Sequence, residues 1–213
     1  MGVENISSEI LKDFLDLCGN KLIHITNYDF TGDLMPSGSV NRPASSHDRL
    51  APRPGCVYLS CPGSSSRRIG RYYLVIDAKA LEPDLFRVDE DNYINAIATQ
   101  KPPYAPGQEI PDAIVQRARN FLEYLLGNGP KYDPNWFNEI SPELDTPKQI
   151  LRSLADGSCA YQGVIPKDAI LQRIDTHEDP TALNTLGSKF EFSEKSENLA
   201  EKYGWATHPI TNR

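Results

Sequence analysis

Short apolar runs set between long stretches rich in proline, glycine and serine limit most strongly how this chain can fold. Residues 22–26, 57–60 and 71–77 are such runs, and the last is rich in aromatic and β-branched side chains. Runs of this length and composition are typical of β-strands. Residues 158–164 and 171–175 predict two further strands. The strands are not separated by regularly spaced helices, which argues against a parallel α/β fold.

Helical periodicity is confined to the start and the middle of the chain. Residues 7–17 and 112–126 carry apolar side chains at helical spacing, and Gly127 ends the second of these segments. Thr146, followed by proline, begins a third predicted helix that Gly157 ends. We therefore predict an α+β fold with helices clustered at the N-terminus and in the middle of the chain.

The size and composition of the chain limit its organisation. Its 213 residues suffice for one domain with a core; we predict a single domain over residues 1–177 and a loosely packed polar extension over residues 178–213. No stretch approaches the roughly 18 apolar residues of a membrane-spanning helix, and the first residues do not form a secretory signal. The four cysteines form no CxxC pair, so we predict no metal site and a cytoplasmic protein with reduced thiols.

Positive charge is concentrated in one stretch of an otherwise acidic chain. The net charge is -7, but residues 42–71 contain six arginines, no lysine and one acidic residue, Asp48. A guanidinium is a planar fork of donors that matches phosphate oxygens, so this stretch indicates a phosphate-bearing ligand. The alternative is a solvated basic loop.

Two of the predicted strands contain a polar residue where a core strand would have valine or leucine. These residues are His24 and Tyr58, and each shares a strand face with a hydroxyl residue two positions on, Thr26 and Ser60. A neutral histidine can hydrogen-bond a ribose hydroxyl, and a tyrosine ring can stack on a flat ring. We predict that His24 and Tyr58 form one wall of a small-molecule pocket; the alternative is that both are ordinary buried residues.

The segments around these residues resemble the ADP-ribosyltransferase superfamily. Residues 24–38, which include Gly32-Asp33-Leu34, are similar to the opening of the rifamycin ADP-ribosyltransferase family, and residues 57–60 and 71–77 are similar to its next two core segments. Residues 163–170 are similar to a Gly-x-Ile-Pro ending found in several NAD-using transferases and in RNA 2′-phosphotransferases. The resemblance implies a split β-sheet core and an NAD-consuming glycosyltransferase that cleaves the nicotinamide–ribose bond.

The resemblance also implies roles for particular residues. His24 would contact the ribose, Tyr58 would lie under the nicotinamide, and both would be catalytic. The residues predicted to bind NAD are His24, Thr26, Arg53, Tyr58, Ser60 and Ser158.

The third catalytic residue departs from the superfamily pattern. Ser158 stands near the position where the superfamily often has a glutamate. In the rifamycin family this residue is an aspartate after the strand that matches residues 71–77, for which Asp84, Asp89 and Asp91 are candidates. We place Asp91 in this role.

The acceptor of ADP-ribose is not identified by the sequence; nucleic acid, protein and small molecules are all open. The missing glutamate leaves open a non-catalytic NAD- or nucleotide-binding module on the same fold. An RNA 2′-phosphotransferase relative is a further alternative, because the Gly-x-Ile-Pro segment is shared. The last alternative is an interaction protein in which His24 and Tyr58 only pack.

Overall fold

A computed structural model describes residues 8–36, 55–64, 70–89 and 157–202, with positions 116, 119, 120, 145, 150 and 153–155. These residues form an α+β fold in which a six-stranded antiparallel sheet is accompanied by helices, as predicted. The strands are β1 (Lys21–Thr26), β2 (Cys56–Ser60), β3 (Tyr72–Asp77), β4 (Phe86–Arg87), β5 (Ser158–Gln162) and β6 (Ile170–Asp175). The five predicted strands are confirmed to within two residues at each end.

The strands lie in the order β4-β5-β2-β1-β3-β6. One face of the sheet carries the main core, where Leu22 of β1, Leu59 of β2 and Leu74 of β3 are each 0% exposed. Two helices, α1 (Ser8–Leu17) and α2 (Lys189–Lys202), contribute buried side chains to the same core. The core therefore lies between one face of the sheet and these two helices.

The two edges of β1 are paired to very different extents. Along β3 the pairing runs the full length of the strand, from Lys21 opposite Asp77 to Thr26 opposite Tyr72. Along β2, within the described strands, pairing occurs at Ile23 opposite Ser60 alone. The sheet therefore opens between residues 24–26 and residues 56–58, and we call this gap the open seam.

One edge strand was not predicted. No strand was predicted between residues 77 and 158, but two short 3-10 helices, Ala78–Ala80 and Pro83–Leu85, are followed there by β4. Phe86 holds this strand to β5, because its ring is buried and packs edge-on against Tyr161 at 5.5 Å between centroids. A two-residue strand is too short for its alternation to be recognised in the sequence.

The prediction of a loosely packed C-terminal extension is wrong for residues 189–202. Helix α2 begins with a capping box, in which Ser188 Oγ accepts from the Glu191 N–H and a Glu191 carboxylate oxygen accepts from the Ser188 N–H. Phe192 and Leu199, seven residues apart, are buried in the main core. Two such anchors two helical turns apart suffice to dock the helix, and the generally polar composition concealed them.

Other predictions fall partly outside the described residues. The helix predicted over residues 112–126 is described at positions 116, 119 and 120, which are helical, and its extent stays a prediction. Residues 203–213 lie outside the described part. Within the described residues, no helix is long and apolar enough to cross a membrane.

Candidate functional site

The imidazole of His24 bridges the open seam. Its Nδ1 lies 2.9 Å from the backbone carbonyl oxygen of Tyr58. A carbonyl oxygen only accepts hydrogen bonds, so Nδ1 carries the proton, and in the neutral ring Nε2 is then the acceptor nitrogen. The histidine side chain thus satisfies a strand carbonyl at the level where β1 and β2 no longer pair through their backbones.

The prediction that His24 and Tyr58 form one wall is corrected by the strand register. Ile23 lies opposite Ser60, and opposite residues of antiparallel strands share a face. Tyr58, two residues from Ser60, therefore belongs to this face, whereas His24 belongs to the other, opposite Leu74 of β3. The two residues do meet, but the contact is between the imidazole and the Tyr58 backbone.

Three of the predicted NAD contacts share the face of Tyr58. Tyr58 lies opposite Ala160, and Ser60 lies opposite Ser158, on the neighbouring strands β2 and β5. Tyr58 is 6% exposed, and both serines are also buried. Tyr58 packs with Cys56 and Ala160 in a small buried cluster on this face. We call it the polar face after its two serines, Ser60 and Ser158.

The three candidates for the catalytic acid lie in different environments. Asp84 is exposed in the 3-10 helix Pro83–Leu85, and Asp91 lies outside the described residues. Asp89 is 1% exposed, and its N–H donates to Ser153 Oγ at 2.9 Å. Ser153 Oγ in turn donates to the Ser158 carbonyl at 2.8 Å. Asp89 is thereby tied to the start of β5, beside the polar face.

Thr26 and Arg53 complete the predicted NAD contacts. Thr26 is buried, and its Oγ1 accepts from the Tyr28 N–H at 3.1 Å, so the hydroxyl fixes the turn that follows β1. Arg53 lies outside the described residues, and its predicted role stays a prediction.

Arg71 is the member of the arginine-rich stretch that the structure describes. Its guanidinium forms a two-pronged ion pair with Asp175, with the shortest distance 2.6 Å, and this lowers the pKa of that carboxyl to about 2. Arg71 and Arg173 also lie over the Tyr72 ring, at 4.9 and 4.5 Å from its centroid. Arg71 therefore fastens the start of β3 to the end of β6.

Two segments that carried the family resemblance contact each other. Leu34 and Ile165 exchange backbone hydrogen bonds of 2.8 and 3.0 Å, and the Lys167 N–H donates to Asp33 Oδ1 at 2.9 Å. The loop that leads there from β1 carries Phe30, whose ring meets the His24 ring edge-on at 6.4 Å between centroids. These contacts were missed because the partners are more than 130 residues apart and no local pattern links them.

The four cysteines are buried, and Cys56 packs in the same small cluster as Tyr58. Burial raises the pKa of Cys18 to about 12 and raises the pKa of Cys61 as well, so both are thiols at neutral pH. In the described part of the chain, no group of three or more histidine, cysteine or acidic residues could hold a metal ion. Two cavities of about 260 and 200 Å³ adjoin α1 and α2, and neither is lined by a predicted site residue.

Comparison with known proteins identifies no relative of this chain. No protein-family model, no curated protein and no solved structure matches this chain.

Proposed function

We propose that the protein is an NAD-dependent enzyme of the ADP-ribosyltransferase type, which transfers ADP-ribose to an acceptor. The observation that carries the proposal is the open seam with His24 in it. The hydrogen bond to the Tyr58 carbonyl holds the imidazole through Nδ1, so that in the neutral ring Nε2 is the nitrogen left to accept from a ribose hydroxyl. A sheet that opens between β1 and β2 also agrees with the split core that the family resemblance implies.

The polar face offers the remaining chemistry. In the proposed reaction the bond between ribose C1 and nicotinamide nitrogen breaks, and nicotinamide leaves with the electron pair. The acceptor then forms its bond to C1 and loses a proton to a base or to water. Positive charge develops on the ribose, so a nearby carboxylate stabilises the transition state more than the ground state. We assign this role to the carboxylate of Asp89, whose backbone N–H is linked through the Ser153 hydroxyl to the Ser158 carbonyl. Asp91, the residue predicted from the sequence, lies outside the described residues.

The burial of the two central residues limits how a nucleotide reaches them. His24 and Tyr58 are 7% and 6% exposed, and the strand register places them on opposite faces of the sheet. In this proposal NAD lies across the open seam, so that its ribose meets His24 on one face of the sheet and its nicotinamide meets Tyr58 on the other.

A binding module without catalysis is the second candidate. It is favoured by Ser158, which stands at the start of β5 where the superfamily often has a glutamate. The hydrogen bond between His24 and Tyr58 also suits a purely structural histidine.

The RNA 2′-phosphotransferase alternative depends on the arginine-rich stretch. The member of this stretch that the structure describes, Arg71, is bound to Asp175.

The test is to incubate the purified protein with NAD and to follow nicotinamide by chromatography and NAD binding by calorimetry. Separate reactions contain a protein mixture, an RNA oligomer and small-molecule nucleophiles as acceptors. We expect nicotinamide release that His24→Ala and Asp89→Asn abolish and that Asp168→Asn, on an exposed residue, leaves unchanged. Binding of NAD that is recovered intact supports the module. No binding and no release would refute both, and removal of a 2′-phosphate from RNA would support the phosphotransferase instead.

A further inference from the structure

We propose that residues 27–36, which we call the strap, position the imidazole of His24, and that Asp33 is the residue that fastens the strap. Asp33 would be a positioning residue, acting on the site through Phe30. The effect of Asp33 on NAD binding rests on the proposed function. Its effect on the orientation of the His24 imidazole can be tested without a ligand.

The strap is fastened on both sides of Phe30. Before this ring, Asp29 forms an ion pair with Arg173 of β6 at 2.7 Å. After it, Asp33 Oδ1 accepts the Lys167 N–H at 2.9 Å, and the adjoining Leu34 is joined to Ile165 by backbone hydrogen bonds. The strap is therefore attached at one point to the part of the sheet that contains β6 and at another to the segment that follows β5.

Phe30 is the residue through which these attachments reach the site. Its ring lies edge-on to His24 at an interplanar angle of 70°, and it also packs against the main core. A hydrogen bond at one nitrogen still tolerates some rotation of the imidazole about the Cα–Cβ and Cβ–Cγ bonds. A ring against its side restricts this rotation and so fixes the direction of Nε2.

The contribution of Asp33 lies in orientation more than in folding. Asp33 and Lys167 are both exposed, so their bond is solvated and contributes little to the free energy of unfolding. Leu34 and Ile165, by contrast, are fully buried and anchor the end of the strap in the core. Removal of the Asp33 carboxylate should loosen the segment between Phe30 and Leu34 without unfolding the sheet.

The experiment compares Asp33→Ala with Asp33→Asn, which keeps a side-chain oxygen that accepts the Lys167 N–H. Asp168→Ala is the matched control, because Asp168 is an exposed carboxylate in the 3-10 turn Lys167–Ala169, next to the residue that Asp33 contacts. The imidazole NMR signals are recorded without ligand, with the His24 signal identified from a His24→Asn variant. The dissociation constant for NAD and the melting temperature are measured on each protein.

We expect Asp33→Ala to shift the His24 signals and to weaken NAD binding about tenfold, as for the loss of one oriented contact. Asp33→Asn should restore both values, Asp168→Ala should change neither, and Phe30→Leu should reproduce the spectral shift. If His24 signals are unchanged in Asp33→Ala and Phe30→Leu, the inference is overturned. If the wild type binds no NAD while Asp33→Ala still shifts His24, the proposed function fails and the positioning role stands.

Discussion

The two edges of β1 show how one strand serves two purposes. Its edge toward β3 is paired through the whole strand, and its edge toward β2 is paired at Ile23 and then opens. On the closed side, backbone groups satisfy each other. On the open side, the imidazole of His24 satisfies the Tyr58 carbonyl. Two strands of a sheet can therefore separate without leaving the Tyr58 carbonyl unsatisfied, because the His24 side chain replaces the backbone hydrogen bond.

The largest effect is expected on the closed side. Leu74 is fully buried and lies opposite His24 on β3. Leu74→Ala should lower the free energy of unfolding by about 2–5 kcal/mol, because it removes core contacts and leaves a cavity. Urea denaturation of the wild type and the variant measures this loss. A loss below about 1 kcal/mol would mean that the site collapses around the smaller side chain.

The next effect is expected at His24 itself, on the open side. His24→Ala should destabilise the protein by about 1–3 kcal/mol, because the Tyr58 carbonyl loses its donor, and it should abolish NAD binding. His24→Asn supplies an amide N–H at a similar position, so it should recover stability but not binding. If His24→Ala loses stability while NAD binding and turnover are unchanged, His24 is structural and the open seam is not the site.

A smaller effect is expected from the ring of Tyr58 on the polar face. Tyr58→Phe keeps the aromatic face, so the dissociation constant for NAD should change little. Tyr58→Leu removes the stacking surface and should weaken binding by about 0.5–1.5 kcal/mol. Calorimetry on the two variants, with melting temperatures as the control for folding, makes the comparison. Equal affinities for the phenylalanine and leucine variants would exclude a stacking role.

The smallest effect is a pH dependence on the far side of β3, at the ion pair of Arg71 with Asp175 of β6. The pKa of Asp175 is lowered from 3.8 to about 2 by this pair, so the folded protein binds the proton less readily than the unfolded chain. The stabilisation is therefore complete above about pH 4 and is lost as the pH falls through about 2. Melting temperatures between these values should fall less steeply in Asp175→Asn than in the wild type. Parallel curves for the two proteins would contradict this contribution.

Much of the fold could be predicted because its signals are local. Residues 71–77 read as a strand from their aromatic and β-branched composition, and β3 follows that prediction within one residue. Helix α2 was missed because its two apolar anchors, Phe192 and Leu199, lie in a polar segment. Of the site, the sequence identified His24 and Tyr58 as unusual but placed them on one wall. The register at Ile23, which decides their faces, is a long-range property of strand pairing.

The sequence by itself determined the α+β class, the five main strands and the polar residues within two of them, since these depend on composition and spacing along the chain. The tertiary structure alone decided that β1 and β2 part after Ile23, that His24 meets the backbone of Tyr58, and that Asp33 reaches Lys167. These contacts join residues far apart in the chain. Their energies depend on the whole packed arrangement of strands and loops, so no local pattern of residues encodes them.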